Sequence, residues 1–264
     1  MTRTVRLGAV DYLNARPLVY GLELRNDLFT LRFDVPSKCA ALLHEGSIDV
    51  GMIPSIEFLR GGPYRIVPGA GIISEGAVAS VALFSTTPLE KIRTIAADTS
   101  SRTSNALLHV LCMERFGIDP HFRPMHPDPV LMLGQCDAAL LIGDPALFLD
   151  HDALGATKID LGEEWFSMTG LPFVWAFWAG RPYALTHEAV GALLTARDGG
   201  VAGSDAIATL YCGPERASRG QAYLRENIRY SLGEREEEGL RMYYELAGKH
   251  GLVPNVMPPA FYHR

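Results

Sequence analysis

Apolar runs and polar loops alternate along this chain in a strand–loop–helix rhythm that is completed once and then begins again. Val5 to Val10 reads as a buried strand, Asp11 to Arg16 as a polar loop, and Pro17 as the start of a helix reaching about Arg25. Phe29 to Val35 alternates like a strand, and Pro36-Ser37 opens a helix over Lys38 to Glu45. Ile48 to Ile53 predicts a strand, and Pro54-Ser55 starts a short helix that Gly61-Gly62-Pro63 breaks. Gly76 to Ser85 is a long β-type run. The strand at Thr94 to Ala97, its loop and the helix from Asn105 to Leu111 then repeat the opening pattern, and the run from Asp137 repeats the run from Asp49. The repeat distance is 88–89 residues in both cases.

This repetition predicts an α/β protein of two similar lobes with parallel sheets. Phe173 to Ala179, rich in aromatics and valine, is expected to pair with 76–85. One strand leaving the first lobe and one returning would make a two-strand hinge. The expected division is 1–84 plus 180–264 for lobe one and 85–179 for lobe two. Beyond Arg181 the pattern is helical, at about 186–197, 203–212, 217–230 and 234–249, with a proline-bearing tail over 251–264. In open α/β sheets ligands sit beyond the carboxyl ends of the strands. Four loops qualify, 11–16, 53–57, 98–104 and 142–145, two from each lobe, so a hinge would face them across one cleft.

The loop Asp98 to Ser104 is the most informative of the four. It sets Thr99, Ser100, Ser101, Thr103 and Ser104 around Arg102 at the start of a helix. One cap needs one such hydroxyl. The surplus, the free backbone N–H groups and the helix dipole suit an anion, and Arg102 suits a carboxylate. A well-capped helix with a solvated loop would leave the same trace. Each other candidate also has a plain structural alternative. Asn14 is either an Asx turn or an amide aimed into the cleft. Arg16 meets a ligand carboxylate or pairs with Glu23. Ser55 caps its helix or touches ligand, and Glu57 reads as a solvated helix residue. Asp144 caps a helix or binds a ligand hydroxyl, and Trp165, Trp175 and Trp178 read as core or hinge packing.

Composition narrows the partners. The formal charge of −6 over 264 residues comes with no basic cluster, which argues against nucleic acid. No apolar run approaches a membrane span. The N-terminal residues carry no leader-like apolar core, and Cys39, Cys112, Cys136 and Cys212 form no C-x-x-C, so a cytoplasmic protein with reduced thiols is expected. Dinucleotide, P-loop and hydrolase-elbow motifs are missing. His187-Glu188 lacks the second histidine of a zinc site, and His121 and His126 flank a proline-containing strand without ligand spacing. No metal and no organic cofactor is expected.

The segments YLNARPL (12–18), IDVGMIPSIE (48–57), SVALFS (80–85), DTSSRTSNALL (98–108), LLIGDPAL (140–147) and DLGEEWFSMTGLPFVWAFW (160–178) together resemble the chorismate dehydratases of the futalosine route to menaquinone. The resemblance spans about 12–180, and the last segment is the most specific. It implies the two-lobed (type II) fold of periplasmic solute-binding proteins and the loss of water from chorismate, giving 3-[(1-carboxyvinyl)oxy]benzoate. It points to Asn14, the asparagine of the YLN motif, for orienting the reacting groups, and to Ser80, Ser101, Thr103, Ser104 and Asp144 for contacts with the substrate. The four loops hold no convincing histidine or lysine base, and one option is that the substrate's own enolpyruvyl carboxylate takes the proton. The related 1,4-dihydroxy-6-naphthoate synthase should instead use a histidine base. A solute-binding protein for a carboxylated aromatic is the alternative from another class, and turnover would separate it.

Overall fold

The central apolar runs become strands because helices cover both of their faces. Val50–Pro54 and Ala138–Ile142 are buried at every position, as expected of parallel strands inside an α/β layer. The computed structural model describes residues 4–263, and in it the strands form two five-stranded sheets. The first holds β1 (Val5–Val10), β2 (Phe29–Asp34), β3 (Val50–Pro54), β4 (Arg65–Ser74) and, from far along the chain, β10 (Phe173–Gly180). Its order is β2-β1-β3-β10-β4. The second holds β5 (Val81–Ser85), β6 (Thr94–Asp98), β7 (His121–Met125), β8 (Ala138–Ile142) and β9 (Thr157–Asp160), in the order β7-β6-β8-β5-β9. In each sheet three strands run parallel in matching positions, β2-β1-β3 and β7-β6-β8, and the remaining neighbours are antiparallel. The repeated sequence pattern is therefore a repeated topology.

Helix α1 (Pro36–Glu45) packs on β1 and β3, and α2 (Thr103–Leu111) follows β6. Short helices α3 (Pro129–Gln135) and α4 (Gly143–Leu147) flank β8, and α5 (Leu161–Thr169) follows β9. Of the C-terminal helices α6 (His187–Ala202), α7 (Ser204–Cys212), α8 (Ala217–Ala222) and α9 (Glu234–Lys249), α6 packs on β4 and α9 on β10, while α7 packs on residues 13–19 and on α8. The aromatic strand β10 is buried along all eight residues. Phe173 sits at its mouth, 5.2 Å from the Trp165 ring and 4.8 Å from that of Tyr243 between ring centroids. Such edge contacts add about 0.5–1.5 kcal/mol each to the area they bury.

Three expectations change. The strand Phe173–Gly180 pairs with β3 and β4, and not with 76–85. The run 76–85 is strand only from Val81, because Gly76 and Ala79 have positive φ and the amides of Val78 and Ala79 go to Asp160 instead of a ladder. Consequently Val81–Ser85 belongs to the second sheet and Phe173–Gly180 to the first. The chain passes between sheets through 75–80 and back through 161–172. Finally, the helix expected from Pro17 is a 3-10 turn over Leu13–Val19, with Pro17 inside it and Gly21 at φ 72° just beyond. Proline has no N–H to continue the ladder, and the left-handed glycine stops it.

Candidate active site

Residues beyond the carboxyl ends of β1, β3, β6 and β8 meet around one cavity between the sheets. Its lining takes Val10 from the end of β1, Tyr12 and Asn14 from the loop after it, Pro36 from the start of α1 and Pro54 from the end of β3. Ser101, Thr103 and Ser104 face them from the loop and helix after β6, with Ile142 at the end of β8 and Gly143 just beyond it. Ile72, Val78, Val81, Trp175 and Ala176 complete an apolar wall. The cavity measures about 60 Å³, well below the ~300–1,000 Å³ of ordinary ligand pockets. The cleft is closed in this conformation.

Contacts between the two halves keep it closed. The Ser37 amide at the start of α1 donates to the Ser100 carbonyl, 3.1 Å, and the Ile56 amide donates to Thr103 Oγ1, 3.2 Å. Tyr243 donates to the Thr103 carbonyl, 3.0 Å, and the Leu13 amide donates to Asp144 Oδ1, 3.2 Å. Arg102 Nη1 reaches Glu57 Oε2 at 2.6 Å.

The loop Asp98–Ser104 is closely hydrogen-bonded within itself. Ser101, Thr103 and Ser104 are all buried, and the Ser104 amide donates to Ser101 Oγ at 3.3 Å, so one hydroxyl caps the helix. Asp98 Oδ1 accepts from the Ser100 amide and hydroxyl, 2.8 and 2.6 Å. Asn105 cinches the loop by donating to the carbonyls of Asp98 and Ser101, 2.9 and 2.5 Å. The amides of Arg102 and Thr103 have no acceptor among the described residues. They stand free at the start of a nine-residue helix.

Of the residues singled out in the sequence, Asn14, Ser101, Thr103 and Ser104 are brought together on the cavity wall. The others are turned to protein partners. Arg102 does not face the cavity; it pairs with Glu57. Glu57 is no solvated residue: it is fully buried and also bound by His44 at 2.8 Å and Arg60 at 3.2 Å. Burial pushes the Glu57 carboxyl up, but the hydrogen bond from His44 and the charge of Arg102 outweigh it and hold it below the usual range. Arg16 pairs with Asp11, not Glu23, and its guanidinium lies over the rings of Phe33 and Tyr211, in an outer groove. Ser55 is buried beside Thr103 with 3.4 Å between their hydroxyl oxygens, and Ser80 Oγ lies 2.7 Å from the Tyr223 hydroxyl. Asp144 accepts from Leu13 and Tyr211, and burial raises its carboxyl. The reason is common to all six. Each finds a partner distant in sequence that short-range pattern does not reveal. Trp165 and Trp178 are core, as read, while Trp175 also reaches the cavity wall and donates to Ser74 Oγ at 3.0 Å.

Sequence reasoning missed Tyr12, whose ring stands against Gly143, and Tyr223, buried with its hydroxyl 2.7 Å from Ser80 Oγ. Tyr12 had a signal, since it opens the YLN segment; Tyr223 lies in a helical region with no motif. Among the described residues, no lysine, arginine or histidine lines the cavity, and no group of His, Cys, Asp and Glu is placed to hold a metal.

Two lobes, matching topologies and a closed cleft between them define the type II binding-protein-like class. Solved structures agree on that fold. Protein AF1704 from Archaeoglobus fulgidus superposes with TM-score 0.77 at 18% identity, covering 96% of this chain and 99% of that one. The alkanesulfonate-binding protein SsuA from Xanthomonas axonopodis pv. citri gives 0.69 at 20% identity, covering 97% and 96%. Within this class the chain belongs to the menaquinone biosynthesis family, whose model matches residues 5–249. The chorismate dehydratase of Thermus thermophilus is 31% identical over 269 residues, spanning 92% of this chain and 94% of that protein.

Proposed function

We propose that this chain is a chorismate dehydratase, a hydro-lyase that removes water from chorismate to give 3-[(1-carboxyvinyl)oxy]benzoate. Relationship to the Thermus enzyme over nearly the whole chain supports the activity. The observation that carries it at the level of chemistry is the meeting of Asn14 with Ser101, Thr103 and Ser104 on one cavity wall. The substrate has two carboxylates, a leaving hydroxyl on its ring and a ring proton whose loss makes the ring aromatic. The hydroxyl loop and the free amides of Arg102 and Thr103 suit one carboxylate. The apolar wall of Ile72, Val78, Val81 and Trp175 suits the ring.

Aromatisation makes the step downhill, so it needs a base, a leaving group and dryness. No imidazole or ammonium lines the cavity among the described residues. In this reading the enolpyruvyl carboxylate of the bound substrate takes the ring proton and passes it to the ring hydroxyl, which leaves as water and frees the carboxylate again. Asn14 holds the reacting groups in line. Fixing such an intramolecular geometry is worth about 7–11 kcal/mol in favourable cases. Closing the cleft excludes water and strengthens each polar contact inside it. The lobes would then part within 75–80 and 161–172 to admit substrate, since a cavity of about 60 Å³ admits none as it stands. A cytoplasmic setting belongs to the same reading, and the four free thiols suit a reducing compartment.

The test is direct. Purified protein is mixed with chorismate, and the product is identified by mass and ultraviolet spectrum. The expected outcome is an aromatic product lighter by one water. Chorismate recovered unchanged, with bound ligand detectable by calorimetry, would replace the enzyme with a binding protein.

A further inference from the structure

The turn that carries Asn14 has no cap of its own. Leu13–Val19 is a 3-10 turn preceded by Tyr12, whose side chain takes none of the free N–H groups. Helical ends ordinarily satisfy these donors with a Ser, Thr, Asp or Asn oxygen just before the first turn. Here the oxygen comes from the opposite half of the molecule. Asp144, just beyond β8, accepts from the Leu13 amide through Oδ1 at 3.2 Å, although 131 residues separate the two in sequence. Its Oδ2 accepts from the Tyr211 hydroxyl on α7, which also lies 3.4 Å from the Asp11 carbonyl.

The neighbours of Asp144 strengthen the grip. Gly143 has φ 63°, and its amide donates to the Ser80 carbonyl at 2.8 Å. Its missing side chain admits the Tyr12 ring, since a Cβ there would stand 2.9 Å from Tyr12 Cδ2 and Cε2. Consecutive residues Gly143 and Asp144 therefore clasp consecutive residues Tyr12 and Leu13, the first by close packing and the second by a hydrogen bond. Asn14 is the next residue along. From its own half Asn14 is held by Tyr230, which donates to its carbonyl at 3.0 Å and whose carbonyl accepts from Gly71 of β4 at 3.1 Å. That bond lies within one half and does not depend on the cleft being shut. The bond from Leu13 to Asp144 crosses the cleft and exists only when the halves meet.

Asp144 was expected to touch the substrate. Both of its carboxylate oxygens are engaged by the protein instead, and it is not part of the cavity lining. We propose that Asp144 is a positioning residue, which caps the turn at Leu13 only in the closed cleft and so sets Asn14 toward the substrate at that moment. The inference rests on the dehydratase reading and deepens it. Asp144 touches no substrate; it acts through the backbone of Leu13 and makes the placement of Asn14 conditional on closure.

The test uses the full chain and steady-state turnover of chorismate by wild type, Asp144→Ala, Asp144→Asn, Asn14→Ala and the double variant Asn14→Ala/Asp144→Ala, with melting temperatures for each. Small misplacements of an oriented group are costly in rate, so Asp144→Ala is expected to lower kcat by roughly tenfold or more. Asp144→Asn keeps an oxygen for the Leu13 amide, and its kcat is expected to stay within about threefold of wild type. The double variant is expected to be no slower than Asn14→Ala alone, because residues that act as a unit are not additive. A latch that merely held the halves together would slow both backgrounds by the same factor. A merely structural aspartate would lower the melting temperature and leave kcat of the folded protein intact. If Asp144→Ala does not fold, Tyr211→Phe takes its place in both backgrounds, since it removes only the hydroxyl that steadies Oδ2; its kcat is expected to fall with Asn14 present and not with Asn14→Ala. Wild-type kcat in the folded variant, an Asp144→Asn protein as slow as Asp144→Ala, or losses that multiply in the double variant would overturn the proposal alone. A wild type that yields no product would overturn the dehydratase reading and the proposal with it, which separates the two failures.

Discussion

Arg102 of the hydroxyl loop and Glu57 at the end of the opposite sheet are joined across the cleft, with Nη1 2.6 Å from Oε2. The carboxylate is fully buried, while the guanidinium keeps about a third of its surface in water. Removing the arginine leaves Glu57 with His44 and Arg60 only. Hydrogen bonds to charged groups contribute about 1.5–3 kcal/mol, so Arg102→Ala should lose that much stability in urea unfolding at pH 7. The pH dependence follows from the lowered Glu57 value. A carboxyl held lower in the folded state stabilises above its unfolded pKa, near 4.5, and that contribution is lost as pH falls through the folded value. The gap between wild type and Arg102→Ala should therefore be full at neutral pH and shrink as the solution is taken below about 4.5 toward the folded value. A gap that stays constant down to acid would show that Glu57 is not the partner that matters.

How far this site was legible depends on the range of the interaction concerned. Strands β1, β2, β6 and β8 and helices α1 and α2 announce themselves through apolar runs and local caps, and so did the hydroxyl loop. Strand β4 did not, because Pro68, Gly69 and Gly71 look like a break; Gly69 does take φ 73° within it. The partner of β10 was misjudged because a strand's composition shows that it pairs but not with what. Its two neighbours lie about a hundred residues or more upstream. Arg16 and Arg102 each looked free for a ligand until the fold brought Phe33 and Tyr211, or Glu57, against them. Only two or three turns of chain around Asn14 were needed to notice it. Seeing what holds it required Tyr230, whose hydroxyl donates to its carbonyl from 216 residues away.

Gly143 closes the cavity beneath Tyr12. Its φ is 63°, and a Cβ there would stand 2.9 Å from Tyr12 Cδ2 and Cε2. Gly143→Ala should cost about 1–2 kcal/mol for the left-handed backbone alone, and it should push the Tyr12 ring off its place on the wall. The expected result is a lower melting temperature together with a raised KM for chorismate. A raised KM is the informative half: stability loss with an unchanged KM would show that the position of Tyr12 is irrelevant to the ligand.

The cysteines provide a measure of how tightly the halves are built. Cys39 and Cys112 are buried, and burial pushes both thiols up to about 12. Thiolate, not thiol, is the nucleophile. Neither should react with a chromogenic disulfide in the native protein at pH 8, and both should react once it is unfolded in guanidinium. Cys212, half-buried on α7, is the one expected to label first. Peptide mapping after brief exposure to reagent would settle the order, and early labelling of Cys39 would contradict the packing of α1 on β1.

Asn14 itself offers the sharpest substitution, because an aspartate keeps its shape and changes its charge. The cavity wall around it holds Tyr12, Pro36, Pro54, Ser101, Thr103 and Ser104, and no cationic side chain among the described residues. A carboxylate placed there would find hydroxyls but no counter-charge, and it would face a substrate carrying two negative charges. Asn14→Asp should therefore weaken ligand binding and slow turnover together. Asn14→Ala removes both polar ends without adding charge, so it should lower kcat by a hundredfold or more, about 2.7 kcal/mol of lost transition-state stabilisation, while binding changes little. If Asn14 were only a turn residue, Asn14→Ala would instead cost about 0.5–2 kcal/mol of stability, as lost caps do, and leave kcat nearly intact. Turnover, ligand affinity and melting temperature measured on the same two variants distinguish these outcomes. A folded Asn14→Ala protein that still turns over chorismate at the wild-type rate would remove Asn14 from the chemistry.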